Sequence, residues 1–394
     1  MRPLVSERTF FALMASIGGL AILSSTMAKT PVLPLFADAL GATPQEIGWI
    51  VIASTVPGIL ISFPAGAISD LIGKRHLIMA SLIVFGTAPF LYLLVTNSWQ
   101  LMAVRFYHGF ATAIFGTVAT AAIAGRYPER RAAMISTYSS VTIVGRAIAP
   151  FMGGALISIA SYRSVYVACA VSGMLAWLIG AMLPREARRK GGERVAFPHF
   201  FQALRTVLSS RAIVLTSLVE AAQYLVFGAV EAFLALYAAS IGVSPWEIGV
   251  ILGVQLVSVV LIKPLMGTLS DKMGRRAIIA PGLALGIVAV GALPLAHGWV
   301  ALTLLSLLFG VGFATVTSST SALVADLAQE GQLGASVGVL RTIMDVGQTI
   351  GPVLTGFIVG IWGYGAAFPS LATVLAASAV AFLATPQPKL RAST

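Results

Sequence analysis

Apolar residues run along this chain in long blocks broken by short polar turns, each block long enough for a helix to cross a bilayer, about 20 residues or more. The blocks predict spans over 9–40, from Thr43 to the loop at Asp70, and over 75–96, 99–125, 131–160 and 162–183. After an interruption at 184–210 the plan repeats over 211–240, 245–270, 275–297, 300–327, 334–360 and 362–383. Thr43 with Glu46 three residues on has the form of a capping box opening the second span. The interruption is rich in Arg, Lys, Glu and Gly and ends in an amphipathic stretch from Phe197 to Arg205. That composition reads as a linker lying partly on the membrane surface. The expected organisation is therefore two six-span halves, 1–183 and 211–394, joined by 184–210.

One stretch occurs twice. Gly66-Ala-Ile-Ser-Asp70-Leu-Ile-Gly73-Lys74-Arg75 returns 201 residues later as Gly267-Thr-Leu-Ser-Asp271-Lys-Met-Gly274-Arg275-Arg276, and upstream Gly41, Pro44, Glu46 and Gly48 return as Gly242, Pro245, Glu247 and Gly249 without a gap. A fixed offset over so long a stretch marks two copies of one unit laid end to end. Both copies sit where an apolar run meets a short basic turn, so both are loops on the same side of the bilayer.

Composition agrees with a membrane protein: 58% of residues are hydrophobic, 10% are charged and the mean hydropathy is +0.93. The net charge of +11 would suit nucleic acid, but its distribution excludes that partner. Lys74 and Arg75, Arg130 and Arg131, Arg188, Arg189 and Lys190, and Lys272, Arg275 and Arg276 fall on one side, while the opposite loops hold Arg163. This is the positive-inside asymmetry, and it places both termini in the cytoplasm of a cell (inner) membrane, with lipid headgroups as the partner of the basic excess. The single Cys169 allows no internal disulfide. The first apolar run exceeds a signal-peptide core and has a retained counterpart in the second half, so it reads as an uncleaved span.

The G-x-x-x-D-x-x-G-[KR]-R pattern between the second and third spans of each half resembles the signature loop of the major facilitator superfamily of secondary transporters. The resemblance implies an all-α membrane protein, with twelve transmembrane helices in two pseudo-symmetric six-helix bundles and a substrate site between them. It also implies a gating role for Gly66, Asp70, Gly73, Lys74 and Arg75 and for Gly267, Asp271, Gly274 and Arg276. In that role Asp70 pairs with a helix end, and Lys74 and Arg75 reach headgroups or acidic partners; setting topology is the plainer alternative. In the fourth span Arg105 resembles the family's buried arginine tied to proton coupling, with His108 where glutamine is usual. The two share a helical face. The alternatives are a structural ion that braces helix ends and a neutral, hydrogen-bonded histidine. In the fifth span Gly145, Pro150, Gly153 and Gly154 resemble the antiporter motif, which marks exporters, although Ala149 replaces its second glycine.

Other polar residues stand in the apolar blocks. Arg146 lies about 24 Å along its helix, near mid-membrane, and aligns with Gln348 of the second half. It calls for an anionic substrate or a fixed carboxylate partner. Glu220, Gln223, Phe227 and Glu231 line one face of the seventh span. Burial disfavours the charged form of a carboxylate, which suits such groups to load and release protons. The repeat offset matches Glu231 to Thr30 beside Lys29, so Lys29 and Glu231 are expected either to pair in one conformation and part in the other or to form a static bridge. Lys263 and Asp345 lie towards the cytoplasmic ends as latch candidates, and Tyr224 with Phe227 is a candidate lining for lipophilic cargo.

The expected function is secondary transport by alternating access, in the form of proton-coupled efflux of small amphipathic or drug-like molecules. A carrier for a specific anionic metabolite is the alternative, favoured by Arg146, Arg105 and Lys29. No ATP-binding glycine loop, metal-spaced cluster or soluble domain points to an enzyme or a cofactor. The expected partners are a small-molecule substrate, protons and membrane lipids, and the chain is expected to act as a monomer.

Overall fold

The computed structural model describes residues 6–58, 60–61, 69, 73–184, 209–328 and 333–385. Gly66, Asp70 and the amphipathic stretch from Phe197 to Arg205 lie outside them. Eleven helices among the described residues are long and apolar enough to cross a membrane. Only helices satisfy their own backbone in hydrocarbon, which is why apolar blocks become helices and polar turns become their ends.

Span 1 is Glu7–Met27 with Val32–Ala39, and span 2 opens with Pro44–Ile52. Spans 3 to 6 are Lys74–Tyr92, Ser98–Arg126, Arg131–Ile159 and Tyr162–Ala181. Spans 7 to 9 are Arg211–Ser240, Pro245–Met273 and Arg275–Ala292, the last continued by a 3-10 turn, Leu293–Leu295. Spans 10 to 12 are Trp299–Leu327, Leu333–Trp362 and Tyr364–Ala384.

The expected capping box is present: the Thr43 N–H donates to Glu46 Oε2 at 2.8 Å and the Glu46 N–H to Thr43 Oγ1 at 3.3 Å. Its copy forms between Ser244 and Glu247, at 2.8 and 3.4 Å. Each box satisfies backbone donors that the first turn of a helix leaves open.

Two departures from the expected continuous helices occur near the start of the chain. Span 1 is interrupted at 28–31, because Pro31 has no N–H for the Met27 carbonyl and its ring crowds the preceding turn. Lys29 sits in this break. Span 2 is interrupted by a turn at Ala53 and Ser54, where Pro57 likewise withholds a donor from the Ala53 carbonyl. The corresponding positions of spans 7 and 8 carry no proline, and those helices run through.

The helices pack into two compact units, Met1–Glu193 with Ser244–Gly253, and Arg194–Val243 with Val254–Thr394. The division departs from the half-boundaries read in the sequence by the first turns of span 8. In unit 1, Phe10, Met14 and Ile17 of span 1 meet Ile78, Leu82 and Phe85 of span 3 and Phe115 and Val118 of span 4. In unit 2, Val219, Ile279, Leu283, Val316, Leu323 and Phe382 form the corresponding core.

Lipid is as apolar as leucine, so helix association in a membrane depends on close packing and small contact residues. Gly109 of span 4 lies so close to span 2 that a Cβ there would be 2.8 Å from Ser54 Cα. Gly310, one repeat later, would put its Cβ 2.7 Å from the Gln255 carbonyl oxygen. Overpacking such a contact costs about 1–3 kcal/mol. Gly109→Ala is therefore expected to lower the melting temperature of the purified protein, whereas alanine at exposed Gly116, which meets nothing within 4 Å, leaves it unchanged.

Candidate functional site

In unit 2 the face of span 7 predicted from helical spacing carries Glu220, and the side chain is 2% exposed. Thr320 Oγ1 lies 2.8 Å from Glu220 Oε2, and Ser321 Oγ donates to Oε1 at 3.3 Å. Thr320 Oγ1 also lies 2.9 Å from the Val316 carbonyl oxygen, yet a hydroxyl has one hydrogen to give. Two arrangements therefore fit one geometry. With Glu220 ionised, Thr320 donates to the carboxylate. With Glu220 protonated, the acid donates to Thr320 Oγ1, whose hydrogen passes to Val316. Lys263 of span 8 and Arg341 of span 11 lie within electrostatic reach of Glu220. Asp345 is exposed on span 11 within reach of Arg341.

Gln223 is fully enclosed instead of lining an open face: its Nε2 would stand 3.8 Å from a Cβ on Gly286 of span 9, and neither polar atom of its amide finds a partner among the described residues. Spacing of three along a helix rotates successive side chains by less than a full turn, which carries Gln223 towards span 9 while Glu220 faces span 10. Phe227 stacks on Phe313 of span 10 at 4.5 Å, and Tyr224 meets the same ring edge-on at 5.0 Å. Phe309 completes this aromatic group, 6.5 Å from Phe227. The sequence reading missed both phenylalanines of span 10. Their four-residue spacing was the available signal. Glu231 and Gln348 are half-buried in the same unit, and Gln348 presents its carbonyl to Gly228 of span 7.

In unit 1, Arg105 and His108 share a face as expected and are 3% and 1% exposed. Arg105 donates to Ser54 Oγ at 2.6 Å, in the turn that interrupts span 2. His108 Nδ1 lies 3.3 Å from the Tyr92 hydroxyl, and the Phe85 ring meets the imidazole edge-on at 5.8 Å. Arg146 is exposed on span 5, and Lys29 is half-buried at the break in span 1.

The antiporter-type residues are contact points. Gly153 faces that break, where a Cβ would come 3.1 Å from Val32 Cγ2 and 3.4 Å from Pro31 Cδ. A Cβ on Gly154 would stand 2.8 Å from Gly249 Cα, in the stretch of span 8 that belongs to unit 1. Gly145 packs on the Gly19 carbonyl, and Pro150 is buried within the helix.

The signature loops correct one expectation. Arg75 does not extend to headgroups; it donates to the carbonyls of Leu183 at 2.8 Å and Ala181 at 3.0 Å. Arg276 does the same to Thr385 at 2.7 Å, Phe382 at 2.9 Å and Leu383. The second cation of each loop thus closes the last helix of its own half, where unpaired carbonyls concentrate partial negative charge. Gly73 and Gly274 take φ of +96° and +91° at the N-caps of spans 3 and 9, a backbone that favours glycine. The first cations differ between the copies. Arg275 donates to Asp326 at 2.9 Å and to Ser270 Oγ at 2.8 Å and pairs with Asp271, whose loop begins at Gly267. Lys74 instead reaches the Ala121 carbonyl at 3.1 Å. By the repeat offset Asp326 corresponds to Gly125, where a Cβ would stand 2.8 Å from Lys74 Nζ. Comparing the two halves at the ends of spans 4 and 10 would have found Asp326.

The family model of the Major Facilitator Superfamily matches residues 14–239 and 216–394. The chain belongs to the major facilitator superfamily. It is accordingly a multi-pass membrane transporter of a small molecule, working among lipids, and not an enzyme. An MFS-type transporter of Methanocaldococcus jannaschii is 25% identical over 360 residues, covering 90% of each chain. The quinolone resistance protein NorA of Staphylococcus aureus is 25% identical over 332 residues, 83% of this chain and 84% of that one. Among solved structures, a point mutant of the nucleoside transporter NupG superposes with a TM-score of 0.83 at 14% identity, over 95% of this chain and 99% of its own. A bacterial homologue of the human lysosomal transporter Spinster, inward-facing and unoccupied, gives 0.78 at 17% identity over 96% of each chain. These superpositions support the superfamily fold.

A partly buried cation at a helix C-terminus contributes up to about 2 kcal/mol. Arg75→Met and Arg276→Met are each expected to lower the melting temperature in neutral detergent, where no anionic lipid is present; a headgroup-binding role would leave those values unchanged.

Proposed function

We propose that this transporter is a proton-coupled exporter of small amphipathic or drug-like molecules, working by alternating access in the cell (inner) membrane with both termini in the cytoplasm. The observation that carries the reading is the Glu220 site, whose hydroxyl partners fit either protonation state without rearrangement. A group that loads and releases protons in hydrocarbon needs such a site, because an unsatisfied partner in either state would trap it in the other. The match to a quinolone resistance protein supports drug-like cargo.

Glu231 on the same helix is the second coupling candidate, with Lys29 as its partner in one conformation. The signature loops, with Lys263 and Asp345, act in this reading as the latch that opens and closes once per cycle. The alternative of an anionic-metabolite carrier draws on Arg146, an exposed cation in the middle of span 5.

The test is ethidium transport by proteoliposomes under an imposed pH gradient with no ATP. Glu220→Gln is expected to reduce gradient-driven ethidium accumulation roughly tenfold or more, the size of a coupling free energy of about 1–3 kcal/mol, while ethidium binding to the purified protein persists. Unchanged pH dependence in both Glu220→Gln and Glu231→Gln overturns the coupling role. Gradient-independent exchange of an organic anion, with no ethidium movement, selects the alternative.

A further inference from the structure

Arg105 is a buried cation with no carboxylate within 4 Å among the described residues. The nearest partners of Arg105 among the described residues are neutral: the Ser54 hydroxyl at 2.6 Å and the phenols Tyr92 and Tyr166 within electrostatic reach. A charge taken out of water needs an opposite charge or a full set of hydrogen bonds, and the Arg105 Nε–H has no acceptor.

Two more polar atoms in the same cluster are unpartnered, His108 Nε2 and the Tyr166 hydroxyl, on side chains that are each 1% exposed. The network assigns their character. Beside the Arg105 cation the Tyr92 oxygen presents its lone pairs and turns its hydrogen away, towards His108 Nδ1 at 3.3 Å. With Nδ1 accepting, the neutral imidazole carries its proton on Nε2. The unsatisfied groups are then the N–H of Arg105, the N–H of His108 and the O–H of Tyr166, three donors on side chains packed about Tyr92. Tyr166 is held in the cluster by stacking on Tyr92, with ring centroids 4.4 Å apart and planes 17° from parallel.

Nothing in the fold demands this arrangement. At the repeat offset of 201 residues, Arg105, His108 and Tyr92 become Ser306, Phe309 and Leu293, and at the offset that aligns Arg146 with Gln348 Tyr166 becomes Phe368, while the glycine contact at Gly109 and Gly310 is kept. One copy of the unit has kept the packing and retains only the Ser306 hydroxyl in place of the charged and aromatic donors.

We propose that Arg105, His108 and Tyr166 form a binding site for a small monovalent anion inside unit 1. The shared chemistry is one negative charge that accepts several hydrogen bonds away from water, and its source is either an inorganic halide or the carboxylate of an organic molecule. The site is independent of proton coupling at Glu220, and its test involves no transport.

The full chain, purified in detergent with divalent sulfate as the only anion, is titrated with chloride, bromide or acetate at constant ionic strength while its melting temperature is followed. A ligand that binds the folded state raises that temperature in proportion to the logarithm of its excess over Kd. A saturable rise of several degrees is expected with at least one of the three. Chloride and bromide acting without acetate identify a resident halide; acetate acting more strongly, and competing with chloride, identifies an organic carboxylate. Arg105→Gln is expected to abolish the response. Should that variant not fold, Tyr166→Phe, which removes one hydroxyl, and His108→Phe, which installs the residue of the other half, are expected to weaken apparent affinity severalfold. No response of the unaltered protein to any of the three anions overturns the proposal, as does a response of equal size and midpoint in the unaltered protein and in Tyr166→Phe and His108→Phe.

Discussion

Absence of water from the bilayer interior is the constraint on which the rest of this structure depends. A backbone carbonyl, a carboxylate or a guanidinium that loses its hydration has to find a replacement in the chain itself. Several polar features among the described residues answer that demand. The capping boxes at Thr43 and Ser244 answer it for helix beginnings, and Arg75 and Arg276 answer it for helix ends. Glu220 answers it with two hydroxyls on a neighbouring helix, one of which serves either protonation state.

The same constraint explains which parts were legible in the sequence. A duplicated unit with a fixed offset shows itself wherever both copies must solve one problem, so the loops, the capping boxes and the close contacts of span 4 and span 10 all recur in register. Helical period placed Arg105 with His108 and set Glu220 and Phe227 towards span 10. Proline was visible at positions 31 and 57, but whether a helix bends through a proline or stops there depends on what packs beside it. Spans 3, 5, 8, 9, 11 and 12 carry proline and continue, while spans 1 and 2 break.

What stayed hidden was pairing between elements distant in sequence. Thr320, Ser321, Phe309 and Phe313 are ordinary residues of an apolar helix until span 10 is laid against span 7. Gln223 misled for the converse reason: period alone fixes the angle of a side chain on its own helix, not which neighbour fills that angle. Arg275 was passed over in favour of the cation after it, because the two have identical chemistry and only the position of Asp326 separates their tasks.

That separation makes the two copies of the loop unequal fasteners. The second copy is tied by full charges on Arg275, Asp326 and Asp271, at a site where the aspartates are reached by solvent. Among the described residues of the first, an ammonium group meets the carbonyl of Ala121, a charge against a dipole. Dissolved salt weakens attraction between exposed full charges much more than it weakens a part-buried contact with a helix end. Among the described residues the contacts of the second loop are thereby the more sensitive to dissolved salt, a difference that follows from aspartate at position 326 where position 125 is glycine.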